Sequence, residues 1–141
     1  MSTPTAIQQV FARVHSPEGL AFPQTVAALL DLGVTRYHVD YAASTATAYK
    51  TDSTTHTIEI DVAHVPAPQV HPTTRWNGEG VVEAIRSVQR GESTYAKFSQ
   101  LCVDAGVTGY LAFLTGMRVV YYGSQGEMHV EWFPGAGPSG K

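Results

Sequence analysis

The 141-residue chain is 43% hydrophobic and 15% charged, which is typical of a single globular domain and excludes a disordered protein. Nine basic against twelve acidic residues give a formal net charge of −3, and the basic residues are scattered, so we expect no nucleic-acid partner. A lone cysteine, no recognisable leader and no apolar run of about 20 residues predict a cytoplasmic protein without an internal disulfide or a membrane segment.

Two helices are predicted in the first half of the chain. The first takes Thr3 as its N-cap and Pro4 as its first helical residue, and its apolar residues recur at helical spacing to about His15. The second helix ends at Gly33, a residue suited to a left-handed C-cap. The apolar face predicted for this second helix consists of Phe22, Val26, Leu29 and Leu30.

Three antiparallel strands follow, over residues 34–41, 45–51 and 54–61, with a tight turn at Asp52-Ser53 between the last two. Their alternating pattern and their threonine, tyrosine and isoleucine content are typical of strands. Residues 62–76 contain three prolines and no regular period, which predicts a connecting loop.

The second half repeats this order. Asn77 is the predicted N-cap of a third helix that ends at Arg90-Gly91, and a fourth helix begins near Ser93 and ends at Gly106. Strands are predicted over residues 107–114, 117–123 and 127–133, and residues 135–141 are predicted to be disordered.

An internal duplication explains this order. At an offset of 73 residues, the segments 31–37 and 104–110 share five identities in seven positions. We therefore predict one domain, 1–141, built from repeat 1 (about 3–61), the loop 62–76 and repeat 2 (about 77–134). Because neither half could bury much alone, the expected fold is α+β: a two-layer sandwich with a largely antiparallel six-stranded sheet and four helices on one face.

The first strand of each repeat gives the clearest prediction of a binding surface. The side expected to pack under the helices consists of Tyr37, Val39 and Tyr41 and of Tyr110, Ala112 and Leu114. The opposite side consists of Arg36, His38 and Asp40 in repeat 1 and of Gly109, Leu111 and Phe113 in repeat 2. The outer sheet surface should then be charged at one end and apolar at the other, so that an anion or a hydrogen-bonding group meets Arg36 and His38 while an apolar body lies on Leu111 and Phe113. The alternative is an ordinary solvated strand together with a dimer or helix contact.

His129 and Glu131 lie two residues apart and should point the same way from one strand. With Tyr122, they are the candidates for a general base and its orienting groups. A metal site would need further histidines. The candidates are His56, which is the counterpart of His129 in repeat 1, or His64 and His71 of the loop, and nothing in the sequence brings them together. No strong catalytic motif is present, and no cofactor or metal is predicted.

Three segments carry a family resemblance: residues 89–98, residues 105–110, and Tyr121-Tyr-Gly-Ser-Gln-Gly-Glu-Met-His129-Val-Glu131-Trp-Phe-Pro134. They resemble the YdfO-like family, domain of unknown function 1398 (DUF1398), and residues 22–23 and 32–37 extend the resemblance over nearly the whole chain. The resemblance implies a two-layer α/β sandwich and bacterial or prophage-borne relatives, some labelled phage envelope protein. It assigns no catalytic residues.

Three functions remain open on the sequence. The leading one is a binding module that takes a small organic ligand or a protein on the outer sheet face, through Arg36, His38, Tyr122, His129 and Glu131. The second is a small enzyme with His129 as general base and Glu131 or Tyr122 orienting it. The third is a structural or self-associating protein related to phage or prophage proteins, which would form a homodimer through a self-complementary patch at Leu111 and Phe113.

Overall fold

The computed structural model describes residues 3–70 and 74–137. Within these ranges the chain forms four helices and six strands, and no helix is long and apolar enough to cross a membrane. The elements are α1 (Ala6–Val14), α2 (Phe22–Asp31), β1 (Val34–Asp40), β2 (Thr45–Asp52), β3 (Thr57–His64), α3 (Gly78–Gln89), α4 (Tyr95–Asp104), β4 (Val107–Phe113), β5 (Arg118–Gly123) and β6 (Met128–Trp132). The predicted order of two helices and three strands, twice over, is confirmed.

The prediction for the start of α1 is wrong by two residues, because Thr5 and not Thr3 is the N-cap. The Thr5 hydroxyl accepts a hydrogen bond from the Gln8 backbone N–H at 3.0 Å, and the Gln8 side chain accepts one from the Thr5 N–H at 2.9 Å. This capping box satisfies two backbone donors that a start at Pro4 would leave without partners. Asn77, by contrast, caps α3 as predicted.

The third strand also differs from its prediction, since β3 runs over Thr57–His64 and the connecting loop begins at Val65. The carboxylate of Asp52 accepts hydrogen bonds from the backbone N–H groups of Thr54 and Thr55, at 2.9 and 3.3 Å. These bonds hold a turn that is longer than the predicted Asp52-Ser53 turn, so the strand starts later. The predicted disordered tail lies in part outside the described residues, and residues 134–136 form a turn.

All six strands pair antiparallel in the order β3-β2-β1-β4-β5-β6. The first strands of the two halves meet at the centre, where His38 lies directly opposite Leu111, the residue 73 positions further on. This arrangement has the twofold form that the sequence repeat predicts, while common ancestry of the two halves remains a prediction.

The helices cover one face of the sheet, as predicted. The side chains in β1 and β4, and those directly after each strand, that point toward them are buried: Tyr37, Val39, Tyr41, Tyr110, Ala112 and Leu114 are all at most 4% exposed. Cys102 of α4 is in the same core, where burial raises the pKa of its thiol to about 12. The thiol therefore acts as a small apolar core group, which agrees with its predicted position.

Candidate functional site

The opposite, outer face of the sheet has no helix over it in the described parts of the chain. Paired residues point to the same side of a sheet, so the strand register arranges this face in three rows that cross all six strands. The arginine row is Ile60, Tyr49, Arg36, Phe113, Arg118 and Trp132; the central row is Val62, Thr47, His38, Leu111, Val120 and Val130; the aspartate row is His64, Thr45, Asp40, Gly109, Tyr122 and Met128.

The arginine row alternates cations with aromatic rings. The guanidinium carbon of Arg36 lies 3.9 Å from the centre of the Tyr49 ring, and that of Arg118 lies 3.8 Å from the centre of the Trp132 ring. Phe113 stands between the two arginines, and together they line an open pocket of about 450 Å³. Cation–π contacts of this kind hold a guanidinium in place while its N–H edges stay available to a ligand.

Neither arginine of this row has a carboxylate partner among residues 3–70 and 74–137, where the ion pairs involve Arg86, Arg90 and His129 instead. Arg118 donates one hydrogen bond, to the carbonyl of Gly116 at 3.2 Å. Neither guanidinium is therefore neutralised by a carboxylate in the described part of the chain.

In the next two rows, His38 and Tyr122 form a hydrogen bond of 2.5 Å between the imidazole Nε2 and the phenol oxygen. Tyr122 can lie across the sheet because its neighbour is Gly109: a Cβ there would stand 2.5 Å from the Tyr122 hydroxyl. Burial, and secondarily the charge of Asp40, raises the pKa of the Tyr122 phenol. The phenol is therefore neutral at pH 7 and joins the central row to the aspartate row.

The structure brings together only part of the predicted ligand-binding set. Arg36, His38, Asp40, Leu111, Phe113 and Tyr122 all lie on the outer face, as predicted. The expected division into a charged end and an apolar end is wrong, because β1 and β4 are adjacent central strands rather than distant ones. Charge instead changes along the strands, from the arginine row to the aspartate row.

His129 and Glu131 are not part of this surface. His129 pairs with the buried Tyr121, and Glu131 pairs with the buried Val119, so both point toward the helices. Their placement on the outer face, and the predicted contact between His129 and Tyr122, are therefore wrong. A one-residue shift decides the face of every side chain in a strand, and the sequence pattern of this half-exposed edge strand did not define it.

On the helix side, Glu131 binds one residue of α3 and one residue of its own strand β6. One carboxylate oxygen accepts a hydrogen bond from Arg86 of α3 at 2.8 Å, and the other lies 3.1 Å from Nε2 of His129. Burial alone would raise the pKa of Glu131, but the bonds from Arg86 and His129 outweigh it and hold the pKa below its usual value. Glu131 and His129 are thus within hydrogen-bond reach, as the enzyme hypothesis requires, and the carboxylate also fastens α3 to β6.

We expect Glu131→Gln to lower the free energy of unfolding at pH 7 by about 1 kcal/mol, since Arg86 is partly exposed and the ion pair is partly screened. Because the pKa of Glu131 is lowered in the folded state, its contribution is present above the pKa of the unfolded chain and is lost as the pH falls through the folded value. Urea unfolding of the Glu131→Gln variant and of the unmodified protein, from pH 7 to pH 3, should show the difference between their free energies of unfolding shrinking toward zero.

The matched control is Glu83→Gln, which removes the carboxylate of a more exposed ion pair, with Arg90. The free energy of unfolding of this variant should stay close to that of the unmodified protein at every pH in the same range. If Glu131→Gln still lowers the free energy of unfolding at pH 3 by as much as at pH 7, the ionic role of Glu131 is contradicted.

The described histidines that were named as candidate metal ligands do not lie together in the structure. His64 ends β3 and His129 lies on β6, at opposite edges of the sheet, while His56 lies in the β2–β3 turn. No group of three potential ligands forms within residues 3–70 and 74–137, and His71 lies outside them.

Arg118 is the functional candidate that the sequence analysis missed. It follows the predicted hairpin connection Thr115-Gly116, and it pairs with Phe113, a residue that was already a candidate. Pairing the two predicted strands across that connection would have placed Arg118 beside Phe113. The observed register, with Phe113 opposite Arg118, is the one that a connection centred on Thr115-Gly116 gives.

Comparison with known proteins now adds the family. Among curated proteins, no sequence matches this chain at a significant level. A family model described as "Protein of unknown function (DUF1398)" matches residues 8–131, which include nearly all of both halves and every residue of the three rows of the outer sheet face except Trp132. The chain therefore belongs to the DUF1398 family, as its resemblance implied.

Proposed function

We propose that this protein is a binding module that takes an organic anion on its outer sheet face, in the pocket between Arg36 and Arg118. One observation carries the proposal: two arginines without carboxylate partners in the described structure, each stacked on an aromatic ring, flank Phe113 in one open pocket. The guanidiniums would bind the anionic group, and Phe113 would contact the apolar body.

The stacking contacts give this pocket its advantage as an anion site. A free arginine loses side-chain entropy when it orders around a ligand, whereas Arg36 and Arg118 are already held by Tyr49 and Trp132. Both side chains are also partly buried, so a charge-assisted hydrogen bond to either is less screened than on an open surface. The site therefore favours a carboxylate or a phosphate over a neutral polar group.

The size of the pocket and its neighbours limit the ligand. A volume of about 450 Å³ suits a compact molecule of about one ring and its substituents. Beyond Phe113, the pocket continues to Val120 of the central row, and Gly116 leaves its rim open. We expect an aromatic or branched aliphatic body carrying a single anionic group. The location that we propose for this function is the cytoplasm.

Three probes with the same ring test the ligand class: phenyl phosphate, benzoate and neutral benzyl alcohol. Titrations followed by NMR should show saturable shifts at Arg36, Phe113 and Arg118 with the two anions and none with the alcohol. Arg36→Gln and Arg118→Gln should each weaken anion binding about tenfold or more, since a hydrogen bond to a charged group contributes about 1.5–3 kcal/mol.

Arg13→Gln is the matched control, because Arg13 is an exposed arginine on α1 outside the pocket. It should leave the dissociation constants unchanged. Equal weakening by all three substitutions would reduce the effect to general electrostatic attraction, and shifts with benzyl alcohol as large as those with benzoate would show that the arginines do not select the ligand. Either result would refute the proposal.

A further inference from the structure

Exposed apolar side chains are concentrated on the outer sheet face. Of the nine large hydrophobic residues that are well exposed in the described ranges, five lie there, on the two edge strands: Ile58, Ile60, Val62, Met128 and Val130. Their exposed fractions run from 38% to 65%. An antiparallel sheet that keeps one face in water normally carries polar residues on it, so this face has the composition of a covered one.

The shape of the face restricts what can cover it. With strands about 4.8 Å apart and three rows about 7 Å apart, the rows span about 600 Å² on one copy, or about 1,200 Å² when two copies are counted. That total reaches the lower end of stable protein interfaces. A second sheet with the same twist packs on such a surface at about −30°, and a second copy of this chain supplies that sheet.

The charges on the face complement those of a second copy in one arrangement. Arg36 and Asp40 lie at opposite ends of β1, with His38 of the central row between them. A twofold axis running along the central row, across the strands, reverses the direction of β1 in the second copy. Arg36 of one copy then faces the partner's Asp40, and the partner's Arg36 faces Asp40. A twofold axis parallel to the strands would instead bring the two arginine rows together.

We infer that the outer sheet face is the interface of a homodimer, in which two copies pack face to face about a twofold axis along the central row. The apolar edge strands of both copies are then removed from water, and β1 contributes two reciprocal ion pairs. The inference stands independently of the proposed anion site. The two share Arg36, however, so if both hold, benzoate should weaken the dimer and dimerisation should weaken benzoate binding.

Sedimentation equilibrium of the full-length chain gives the first test. We expect a dimer with a dissociation constant in the micromolar range or below. Val130→Glu, which places a charge on the outer face at a position already 38% exposed, should weaken the dimer by about a hundredfold without unfolding the monomer. Leu30→Glu is the matched control, since Leu30 is 42% exposed on α2, and it should leave the dissociation constant unchanged.

A charge exchange on β1 tests the axis itself. Arg36→Asp and Asp40→Arg should each weaken the dimer by about a hundredfold, because each replaces two ion pairs by repulsive contacts. The double variant, R36D with D40R, restores the reciprocal pairs and should return to within about tenfold of the original dissociation constant. Circular dichroism and thermal melting show whether each variant is folded.

Three results would overturn the inference. The first is a chain that stays monomeric at about 0.5 mM, well above the dissociation constant of a typical interface of this size. The others are a dimer that Leu30→Glu disrupts and Val130→Glu does not, and a double charge exchange whose dimer is as weak as those of the single variants. Benzoate binding is measured separately at a concentration where the chain is monomeric. Failure of the dimer therefore leaves the anion proposal standing, and loss of benzoate binding leaves the dimer standing.

Discussion

Gly106→Ala should lower the free energy of unfolding by about 3–4 kcal/mol. Gly106 has φ of +94°, in a region that L side chains rarely adopt, and an added Cβ would lie 2.7 Å from the Arg75 carbonyl oxygen and from the Trp76 Cα. These are backbone atoms of a segment that Asn77 fixes by donating its N–H to the Ala105 carbonyl at 2.8 Å. The segment cannot move away without breaking this bond, so the conformational and steric costs add.

The first half of the chain supplies a matched control for this prediction. Gly33 occupies the equivalent position and has φ of +88°, but an added Cβ there would meet only the flexible side chain of Lys50, at 3.2 Å. Gly33→Ala should therefore lower the free energy of unfolding by only about 1–1.5 kcal/mol, the cost of the left-handed conformation. Urea unfolding of both variants measures the difference, and equal losses would show that contact with residues 75–76 does not limit position 106.

The prediction of the fold succeeded where local signals agree. Asn77, Gly33 and Gly106 mark helix ends by their own chemistry, and the alternation in 34–40 and 107–113 reports which side of each strand is buried. The prediction failed at Thr3 and at Asp52-Ser53, where nearby residues offer similar turn or cap chemistry. There the choice depends on hydrogen bonds that the side chains of Gln8 and Asp52 accept from backbone N–H groups, and a sequence pattern does not identify these donors.

The candidate site was harder to predict because it depends on strand order. Arg36 and Phe113 could be chosen from their own strands, but their adjacency requires β1 to pair with β4, and Arg118 joins them only through β5. His129 was misplaced because its strand lies at a sheet edge, where both faces contain partly exposed residues and the period of two is weak. Long-range pairing, which no local pattern reports, therefore decides which side chains share the pocket.

Leu29→Ala should lower the free energy of unfolding by about 3 kcal/mol, while Leu30→Ala should change it by less than about 0.5 kcal/mol. Leu29 is completely buried in the core, so its truncation removes apolar contacts and leaves a cavity. Leu30 is 42% exposed on the same helix, and alanine is a good helix former, which offsets the little that is lost. Thermal and urea unfolding of the two single variants measure this difference.

This pair of variants also tests why the predicted face of α2 was wrong. The sequence placed Phe22, Leu29 and Leu30 on one apolar face, but Phe22 is 39% exposed and the buried stripe instead includes Thr25, at 3% exposure. Thr25 was not part of the predicted face, yet its hydroxyl donates to the Ala21 carbonyl at 3.1 Å and so enters the core without an unsatisfied group. Similar losses for both leucines would mean that Leu30 is covered in solution. Because Leu30 lies outside the sheet face, that result would place an interface on the helix layer and contradict Leu30→Glu as a neutral control.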